Sequence, residues 1–380
     1  MSDSWDLTAE QHDLVRDVRA AARDVLAPLV GSGIEGRVNR QLVKKLGDLG
    51  LLAKLFPGIG EGSKSREAAA LELCLLREAL ATVSTEAETA LALQGLGTYP
   101  VLQAGSDEQV RRWVTTVAAG DAIAGFALSE PSAGSDAGAL ALAAQADGNG
   151  WRLVGEKTWI SNAPEADFYS VFARTTPDAA TRGVTAFLVP ADRAGLTGEP
   201  IHMLSPHPIG KLGFDGVRVD RGDLLGEVDK GFAVAMRTLD LFRPSVGAFA
   251  VGMAQAALEA AIAHAGSREA FGAPLRQMQA VGHTLAEMAT RTEAARVMVY
   301  RAGAAYDAGR PGISTSSAMA KLIATEAAQW VVDAAIQIHG ASALQRGHLL
   351  EHLYREVRAP RIYEGATEVQ RSIIARDLYR

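Results

Sequence analysis

Cysteine is almost absent from this 380-residue chain, since Cys74 is the only one. A lone cysteine excludes an intrachain disulfide and a thiolate metal site, and its position in the apolar run 71–76 indicates simple packing. The chain also has no block of basic residues: its net charge is −6, with both signs interspersed. This charge pattern argues against nucleic acid or an anionic membrane as a partner.

Signals for export and for membrane insertion are lacking too. Residues 1–6 are acidic and show neither a charged region followed by an apolar core nor an Arg-rich transit pattern. No run approaches the roughly 20 apolar residues of a membrane span. We therefore expect a cytoplasmic protein of two or three domains, and its 48% hydrophobic content is ample for a sizeable core.

Helical signals are present throughout the first 121 residues. Thr8 with Gln11 resembles a capping box that opens a helix to Leu26, and Pro28 ends it. The Gly-rich stretch 57–63 follows no strand and precedes no Lys-Ser/Thr pair, so an ordinary loop is favoured over a phosphate-binding loop. The further predicted helices cover 41–49, 65–81, 84–97 and 106–119.

Near Ile123 the periodicity changes from helical to extended. Short segments alternate apolar with polar residues, or are apolar and β-branched, between turn signals such as the Asp-Gly-Asn-Gly of 147–150. Several strands without intervening helices predict an antiparallel sheet, as a small barrel or a sandwich. The predicted strands cover 123–129, 139–145, 151–160, 168–174, 183–189 and 209–219.

After Gly226 long helical patterns return, over 231–265, 279–308 and 314–338. Each is longer than the mean helix of about 11 residues, and Ala-rich helices of this length pack closely as a bundle. The predicted fold class is α+β with several domains. These are an N-terminal helical domain 1–121, a middle antiparallel β-barrel or sandwich 122–227, and a C-terminal four-helix bundle 228–380.

The strongest chemical signal is Glu364, which follows Pro360 and lies between Tyr363 and Gly365, where the chain turns into a helix. A partly desolvated carboxylate has a pKa raised toward neutrality, which suits a general base that takes a proton from carbon. From these residues alone, the commoner outcome is a solvated glutamate in the first turn of a helix, stabilised by the helix dipole.

A second signal lies in 126–136, a strand followed by a loop of small hydroxyl residues, together with Trp159 and Ser161. These residues offer an aromatic wall, backbone amides and hydroxyls to a planar heterocycle such as a flavin. On their own they fit a loop and a packed, buried tryptophan better. No Rossmann fingerprint is present, so a dinucleotide would bind by another route.

Two further patterns have competing interpretations. Arg243 lies early in a helical region and is either a surface residue or a ligand contact. His348 and His352 flank Glu351 in the HxxEH pattern of inverted zincins, which places two histidines one helical turn apart. No third zinc ligand is evident and short patterns arise by chance, so a zinc hydrolase is the minor alternative.

The ordered set of motifs resembles the acyl-CoA dehydrogenase family over nearly the whole chain. Residues 362–371 are similar to its IYEG(T)xxxQR signature, 126–137 (FALSEPSAGSDA) to its first signature, and 159–161 (WIS) to its flavin-stacking element. Further similarities are DLFRP at 240–244, RxxFGxPxxxxQ at 268–279 and a QxxGG-like element at 337–341.

The resemblance implies roles for single residues. Glu364 would be the catalytic base, because the position that carries the base in some relatives is here Phe242. Trp159 would cover one face of the flavin and the Ser161 hydroxyl would address N5, while Arg268 and Phe271 would reach the FAD of a neighbouring subunit. The full implied FAD set is Phe126, Leu128, Ser129, Ser135, Trp159, Ile160, Ser161, Arg268, Phe271, Gln279, Gln337, Gly340, Ala341, Ala366 and Glu368. The implied thioester contacts are Ser135, Asp240, Arg243 and Gly365.

The implied reaction is FAD-dependent dehydrogenation of an acyl-CoA to its trans-2-enoyl-CoA, with hydride transfer to flavin N5. The thioester carbonyl would accept hydrogen bonds from the Glu364 backbone amide and a ribityl hydroxyl, which stabilise enolate charge. The implied partners are an electron-transfer flavoprotein or another acceptor, and further copies of the chain in a tetramer or dimer. Departures from the family pattern, at Ala366 and over 205–210 and 340–344, leave open an acyl group carried on an acyl carrier protein.

Overall fold

The computed structural model describes residues 7–58 and 69–379. Contacts divide the chain into two compact units. The helical unit comprises Met1–Ala27, Ala69–Glu88 and Asp240–Arg380, and the sheet unit comprises Pro28–Ala68 and Thr89–Leu239. The division into three domains at 121 and 227 stays a prediction. Residues 1–6 and 59–68, which carry the N-terminal interpretation, most of the Gly-rich loop and the start of the helix predicted at 65–81, lie outside the described residues.

The predicted helices are present in the described part of the chain and several extend further, while α11 (Leu349–Val357) was not predicted. The capping box at α1 is confirmed, because Thr8 Oγ1 accepts from the Gln11 N–H at 3.3 Å and the Thr8 N–H donates to Gln11 Oε1 at 2.9 Å. The described α-helices are α1 Ala9–Ala21, α2 Ala27–Val30, α3 Arg40–Asp48, α4 Ala70–Ala81, α5 Thr85–Ala104, α6 Asp107–Gln109, α7 Thr115–Ala118, α8 Gly231–Ser267, α9 Gln279–Asp307, α10 Ile313–His339, α11 Leu349–Val357 and α12 Thr367–Asp377.

The predicted helix stop at Pro28 is wrong. A π-helical turn, Ala22–Leu26, follows α1, and the chain continues as α2 with Pro28 inside it. The π turn already interrupts the regular i to i−4 hydrogen bonds, so the missing proline N–H costs little there. Helix α5 also contains a proline, Pro100, and continues to Ala104, beyond the predicted end at Gly97.

The sheet unit holds seven strands in one sheet, with the order β1-β4-β2-β3-β7-β6 and with β5 paired to β4. Strands β4 and β5 are buried on both faces and largely apolar, and they form the centre of this unit. The strands are β1 Ala124–Ala127, β2 Ala143–Asp147, β3 Gly150–Ser161, β4 Phe168–Arg174, β5 Val184–Pro190, β6 Leu196–Pro200 and β7 Ile209–Val219.

The β domain is confirmed, but its predicted purely antiparallel character is wrong. β1 pairs with β4 in parallel, with Ala124 opposite Phe168, and β2 pairs in parallel with the far end of the same strand, at Arg174. The other pairs are antiparallel, so the sheet is mixed. The sequence signal missed β6, because its residues are largely exposed and show no apolar alternation.

Small residues allow the helices of the helical unit to pack closely. An added Cβ at Gly252 on α8 would lie 2.6 Å from Ala81 Cβ on α4, so only glycine permits this approach. Cys74 on α4 is fully buried in the same core, and burial raises the pKa of its thiol well above the usual range. The expected inert packing of this cysteine agrees with its surroundings.

Helix α8 corrects one expectation about apolar runs. By length and composition alone it could cross a membrane, since an 18-residue window has a mean hydropathy of 1.6. However, 72% of that window is buried inside the protein. Core helices of globular proteins have this same property, so it carries no membrane assignment.

Candidate active site

Glu364 lies in a tight turn rather than in a helix. A 3₁₀ turn, Ala359–Arg361, comes before it, and α12 begins only at Thr367. The backbone φ angle is +51° at Glu364 and +95° at Gly365. A positive φ is costly for a residue with a side chain, and such strain persists only where the surroundings hold it in place.

Side chains from two helices hold this turn. Lys321 on α10 donates from Nζ to the Tyr363 carbonyl oxygen at 2.6 Å and also to the Gly365 carbonyl oxygen. Gln370 on α12 donates from Nε2 to the same Gly365 oxygen at 2.8 Å. The carbonyl groups of Tyr363 and Gly365 are therefore fixed, which holds the backbone at Glu364 in its turn conformation.

A second anchor fixes both ends of the turn. The Glu326 carboxylate on α10 accepts from Arg361 Nε at 3.0 Å and from Thr367 Oγ1 at 2.9 Å. One acidic side chain thus ties the end of the 3₁₀ turn to the first residue of α12.

The carboxylate of Glu364 is withdrawn from water. The residue as a whole is half-buried, but its Oε2 is buried and has no hydrogen-bond partner among the described residues. Burial raises the pKa of this carboxyl, while the charges of Arg77, Lys321 and Arg243 act in the opposite direction. A solvated glutamate in the first turn of a helix does not describe this geometry.

Buried cations surround the turn, and sequence reasoning missed two of them. The Arg77 guanidinium on α4 donates to the Glu88 carboxylate and to Ser245 Oγ, the latter at 2.7 Å. Burial lowers the pKa of Lys321 to about 8, although Glu364 pulls it upward. The available signal was a single charged residue within an otherwise apolar helical run, as in 318–323.

Arg243 is not a surface residue, because it is only 6% exposed. It forms an ion pair with Asp240 at 2.8 Å on the same helix, and its Nε has no partner among the described residues. The structure therefore brings the two predicted thioester-contacting residues of α8 together. Sequence reasoning also did not select Glu356, which is 5% exposed. Burial and the neighbouring charges of Glu86 and Glu88 raise the pKa of its carboxyl to about 8.

In the sheet unit, the predicted flavin loop is fixed by a buried ion pair. Lys157 donates from Nζ to the Leu128 carbonyl oxygen at 2.9 Å and to Glu130 Oε1 at 2.7 Å. The Glu130 carboxylate also accepts from the backbone N–H groups of Ala141 and Leu142, at 2.6 and 2.9 Å. Burial lowers the pKa of Lys157 to about 8, against the attraction of Glu130.

Trp159 is exposed rather than packed in a core. The register between β3 and β7 shifts between Lys157 and Ile160, and Trp159, within this bulge, has a φ of +59° and 53% exposure. A bulge turns a side chain away from its regular direction, which leaves the indole accessible. Ile160 is buried, and Ser161 Oγ lies 3.0 Å from Nε2 of His207, another residue that sequence reasoning did not select.

The first flavin motif divides into covered and exposed parts. Phe126 on β1 is half-buried and packs at a tilt against Phe172, with ring centroids 5.0 Å apart. Leu128 is buried, whereas Ser129 is half-buried and its carbonyl oxygen accepts from the Thr158 N–H at 3.0 Å. Ser135 is exposed in the following loop.

The remaining predicted FAD residues lie on the surface of the helical unit. Phe271 is 98% exposed at the tip of a two-residue hairpin turn between β8 (Glu269–Ala270) and β9 (Ala273–Pro274), with a φ of +53°. No other described residue covers the ring. The exposed group is Arg268, Phe271, Gln279, Gln337, Gly340, Ala341 and Glu368, while Ala366 is half-buried. Their roles stay predictions.

The zinc hydrolase alternative is not supported. His348 caps α11, because its Nδ1 accepts from the Leu350 N–H at 3.1 Å. His352 Nε2 lies 2.6 Å from Thr85 Oγ1, so the two histidines have different partners. Among residues 7–58 and 69–379, no group of three or more His, Cys, Asp or Glu side chains is arranged to hold a metal ion.

Family comparison covers almost the entire chain. The model described as acyl-CoA dehydrogenase, N-terminal domain, matches residues 8–121, the middle-domain model matches 125–217, and the C-terminal-domain model matches 229–379. Together these matches span far more than half of the sequence.

Individual relatives agree with the family models. The chain is 38% identical over 380 residues to the mitochondrial short-chain specific acyl-CoA dehydrogenase of Bos taurus, covering 98% of this chain and 90% of the relative. It is 34% identical over 382 residues to the cyclohexane-1-carbonyl-CoA dehydrogenase of Geobacter metallireducens, covering 98% of each.

Solved structures share the fold over their full length. The butyryl-CoA dehydrogenase from Megasphaera elsdenii superposes with a TM-score of 0.92 at 31% identity, covering 99% of both chains. The FAD complex of PigA gives 0.91 at 28% identity, covering 98% of both. The prolyl acyl carrier protein oxidase AnaB gives 0.90 at 27% identity, covering 98% of this chain and 100% of AnaB.

Proposed function

The chain belongs to the acyl-CoA dehydrogenase family, and from that premise we propose that it is an FAD-dependent enzyme that converts an acyl-CoA to the trans-2-enoyl-CoA. The observation that carries this proposal is the buried Oε2 of Glu364, which has no hydrogen-bond partner among the described residues. A carboxylate kept free in this way is suited to accept a proton from carbon.

Glu364 acts as the base that removes the α proton of the thioester. Its backbone N–H, which has no acceptor among the described residues, donates to the thioester carbonyl oxygen and stabilises the negative charge that develops there. Arg77, Lys321 and Arg243 oppose the effect of burial on the carboxyl pKa, and so favour the ionised base. Asp240, Arg243 and Gly365 contact the thioester.

The residues of the sheet unit fit a flavin. The bulge in β3 holds the Trp159 indole out of the sheet with an open aromatic face, and the Ser161 hydroxyl ends the same strand. FAD supplies the acceptor for the hydride that leaves the β carbon. The Lys157–Glu130 pair fixes the loop whose Phe126, Leu128 and Ser129 contact the cofactor.

A second candidate substrate is an acyl group on a carrier protein. The likeness to AnaB, named as a prolyl acyl carrier protein oxidase, favours it, as do the departures of 205–210 and 340–344 from the family pattern. Turnover of one acyl chain presented on CoA and on a carrier protein separates the two. A large preference for either carrier identifies the substrate.

Partners are part of the same proposal. The chain forms a tetramer or dimer and passes its electrons to an electron-transfer flavoprotein or another acceptor. An exposed aromatic ring in a strained turn, at Phe271, supports a contact with a further copy of the chain.

The decisive experiment is anaerobic bleaching of the flavin by a panel of acyl thioesters. The wild-type protein should bleach with at least one of them, and Glu364→Gln should bind FAD normally yet bleach about 10²- to 10⁴-fold more slowly. Glu259→Gln is a matched control, because it makes the same change at an exposed carboxylate of the helical unit. Normal bleaching by Glu364→Gln would refute the assignment of the base.

A further inference from the structure

We propose that Lys321 is a positioning residue for the reaction at Glu364. Lys321 holds the turn in its strained form and polarises the peptide group whose N–H would donate to the thioester oxygen. The proposal rests on the proposed function. It concerns a group outside the proton transfer itself, because Lys321 forms no hydrogen bond or ion pair with the Glu364 carboxylate.

Burial and geometry both indicate a specific task for this lysine. Lys321 is 1% exposed in the middle of α10, and its ammonium group donates to the carbonyl oxygens immediately before and after Glu364. A buried ammonium is costly unless its donors are satisfied. Here the Lys321 ammonium donates to two carbonyl oxygens of a turn in which Glu364 has a φ of +51°. The hydrogen bonds that offset the cost of burying the ammonium therefore also stabilise the strained backbone of the base.

The bond to Tyr363 also acts on the neighbouring N–H. In a trans peptide group the C=O and N–H point in opposite directions, and the N–H joined to the Tyr363 carbonyl is that of Glu364. A cation bound at the oxygen polarises the whole group and strengthens its N–H as a donor. Lys321 therefore increases the stabilisation of enolate charge from the far side of the peptide group.

The charge of Lys321 is not neutralised at short range. No carboxylate lies within ion-pair distance of its Nζ among the described residues. Glu364 in the turn and Arg243 on α8 are the charged groups that act on Lys321 directly. Tyr363 accepts from Lys321 through its carbonyl oxygen, Asp240 is paired with Arg243, and Arg77 on α4, which is paired with Glu88 on α5, acts on Glu364.

The pH dependence follows from the position of this charge. Because the pKa of Lys321 is lowered to about 8, the ammonium loses its charge within the range in which an enzyme is assayed. Loss of that charge weakens the polarised donor and raises the pKa of Glu364. The rate of flavin reduction should therefore rise with pH as Glu364 ionises and fall again above about pH 8.

The test compares Lys321→Met, Lys321→Gln and Lys321→Arg. Lys321→Met should retain FAD but lose about tenfold to a hundredfold in kcat with a smaller change in KM, since a slightly misplaced base loses rate rather than binding. Its alkaline fall in rate should vanish and its acid limb should move to higher pH. Lys321→Arg keeps a charge that does not titrate, so it should rescue kcat and lose the alkaline fall.

Gln370→Leu is the matched control, because it removes a hydrogen bond to the Gly365 carbonyl oxygen without removing a charge. It should lower kcat by a smaller factor and leave both limbs of the pH profile in place. A readout without turnover is the infrared carboxyl band of the cofactor-free protein, assigned by its loss in Glu364→Gln. In Lys321→Met this band should titrate at a higher pH.

Failure of this inference is distinct from failure of the proposed function. If the wild-type protein bleaches with no acyl thioester, the proposed function is wrong. If the wild type bleaches while Lys321→Met, folded by its melting curve, keeps the wild-type kcat and both pH limbs, then Lys321 has no positioning role. Should Lys321→Met not fold, the same comparison applies to Lys321→Gln, which retains one donor group.

Discussion

Lys157 in the sheet unit and Lys321 in the helical unit are both buried lysines that fix a turn by donating to backbone carbonyl oxygens. Burial lowers both pKa values to about 8. They differ in their counter-charge. Lys157 has Glu130 at 2.7 Å, whereas Lys321 has no carboxylate within ion-pair distance among the described residues.

The difference separates a structural charge from a chemically active one. The Lys157–Glu130 pair is closed, because Glu130 also accepts from two backbone N–H groups and no charge is left over. Lys321 sits beside a base with an unbonded oxygen, and its charge acts on that base. The Lys157–Glu130 ion pair fixes the loop of the sheet unit, while a buried group without an ion-pair partner in the helical unit can gain or lose a proton.

The largest expected effect on stability comes from breaking the closed pair. Lys157→Met leaves Glu130 as an uncompensated buried charge and should lower the free energy of unfolding by about 3–5 kcal/mol. Urea denaturation measures this change. The double variant Lys157→Met/Glu130→Gln should recover part of the loss, and Lys211→Met, which breaks an exposed ion pair in the same sheet, should have little effect. Equal losses for Lys157→Met and Lys211→Met would contradict the distinction.

A second prediction sharpens the comparison with a buried carboxyl group that has no nearby cation, that of Glu356. It has no cation within ion-pair distance among the described residues, and its pKa is raised from 4.5 to about 8. The folded protein therefore holds this proton more tightly than the unfolded chain does. The resulting stabilisation is complete below about pH 4.5 and is lost as the pH rises through about 8.

Glu356→Gln should remove this pH dependence. Its free energy of unfolding should match that of the wild type near pH 4.5 and exceed it above pH 8, by roughly 1.4 kcal/mol for each unit of pKa shift. Urea denaturation at several pH values checks this. Parallel curves for the two proteins over that range would show that Glu356 is ionised in the folded state.

The smallest expected effect tests whether the sheet unit also fixes the Ser161 hydroxyl through a hydrogen bond to a neighbouring side chain. His207→Phe removes the contact between Nε2 and Ser161 Oγ, and should weaken FAD binding by about 2- to 10-fold, as the loss of one hydrogen bond does. Titration of the cofactor-free protein with FAD measures the change. His202→Phe, an exposed histidine five residues earlier, is the control and should bind FAD normally.

Local signals were sufficient for the helices and most strands. The Thr8 capping box and the long apolar periodicities of α8, α9 and α10 depend on neighbouring residues, so they can be read from the sequence. The parallel pairing of β1 with β4 brings together residues 44 positions apart, Ala124 and Phe168, and no local pattern encodes it. Strand β6 was missed because its stability comes from pairing with β7 rather than from buried side chains of its own.

A site residue could be predicted where it is part of a sequence motif, but not where it only contacts a motif in the folded chain. Glu364 and Trp159 stand in recognisable stretches, whereas Lys321 is identified only by what it contacts 42 and 44 residues further along. Arg77 and Glu356 depend in the same way on neighbours that only folding brings near. A single charged residue within an apolar helical run would have selected Lys321, whereas Arg77 is followed by Glu78 and Glu356 follows Arg355, so neither of these stands out in the sequence.

The burial of Cys74 has a practical consequence for following this protein in solution. Since that thiol is inaccessible and resists ionisation, the natural chain should be almost inert to maleimide dyes under mild conditions. The variant Phe271→Cys would then have a single point of labelling, on a hairpin tip that the described residues leave exposed. A fluorophore attached there would report directly on whatever docks against that tip, without the need to remove any native side chain from the core.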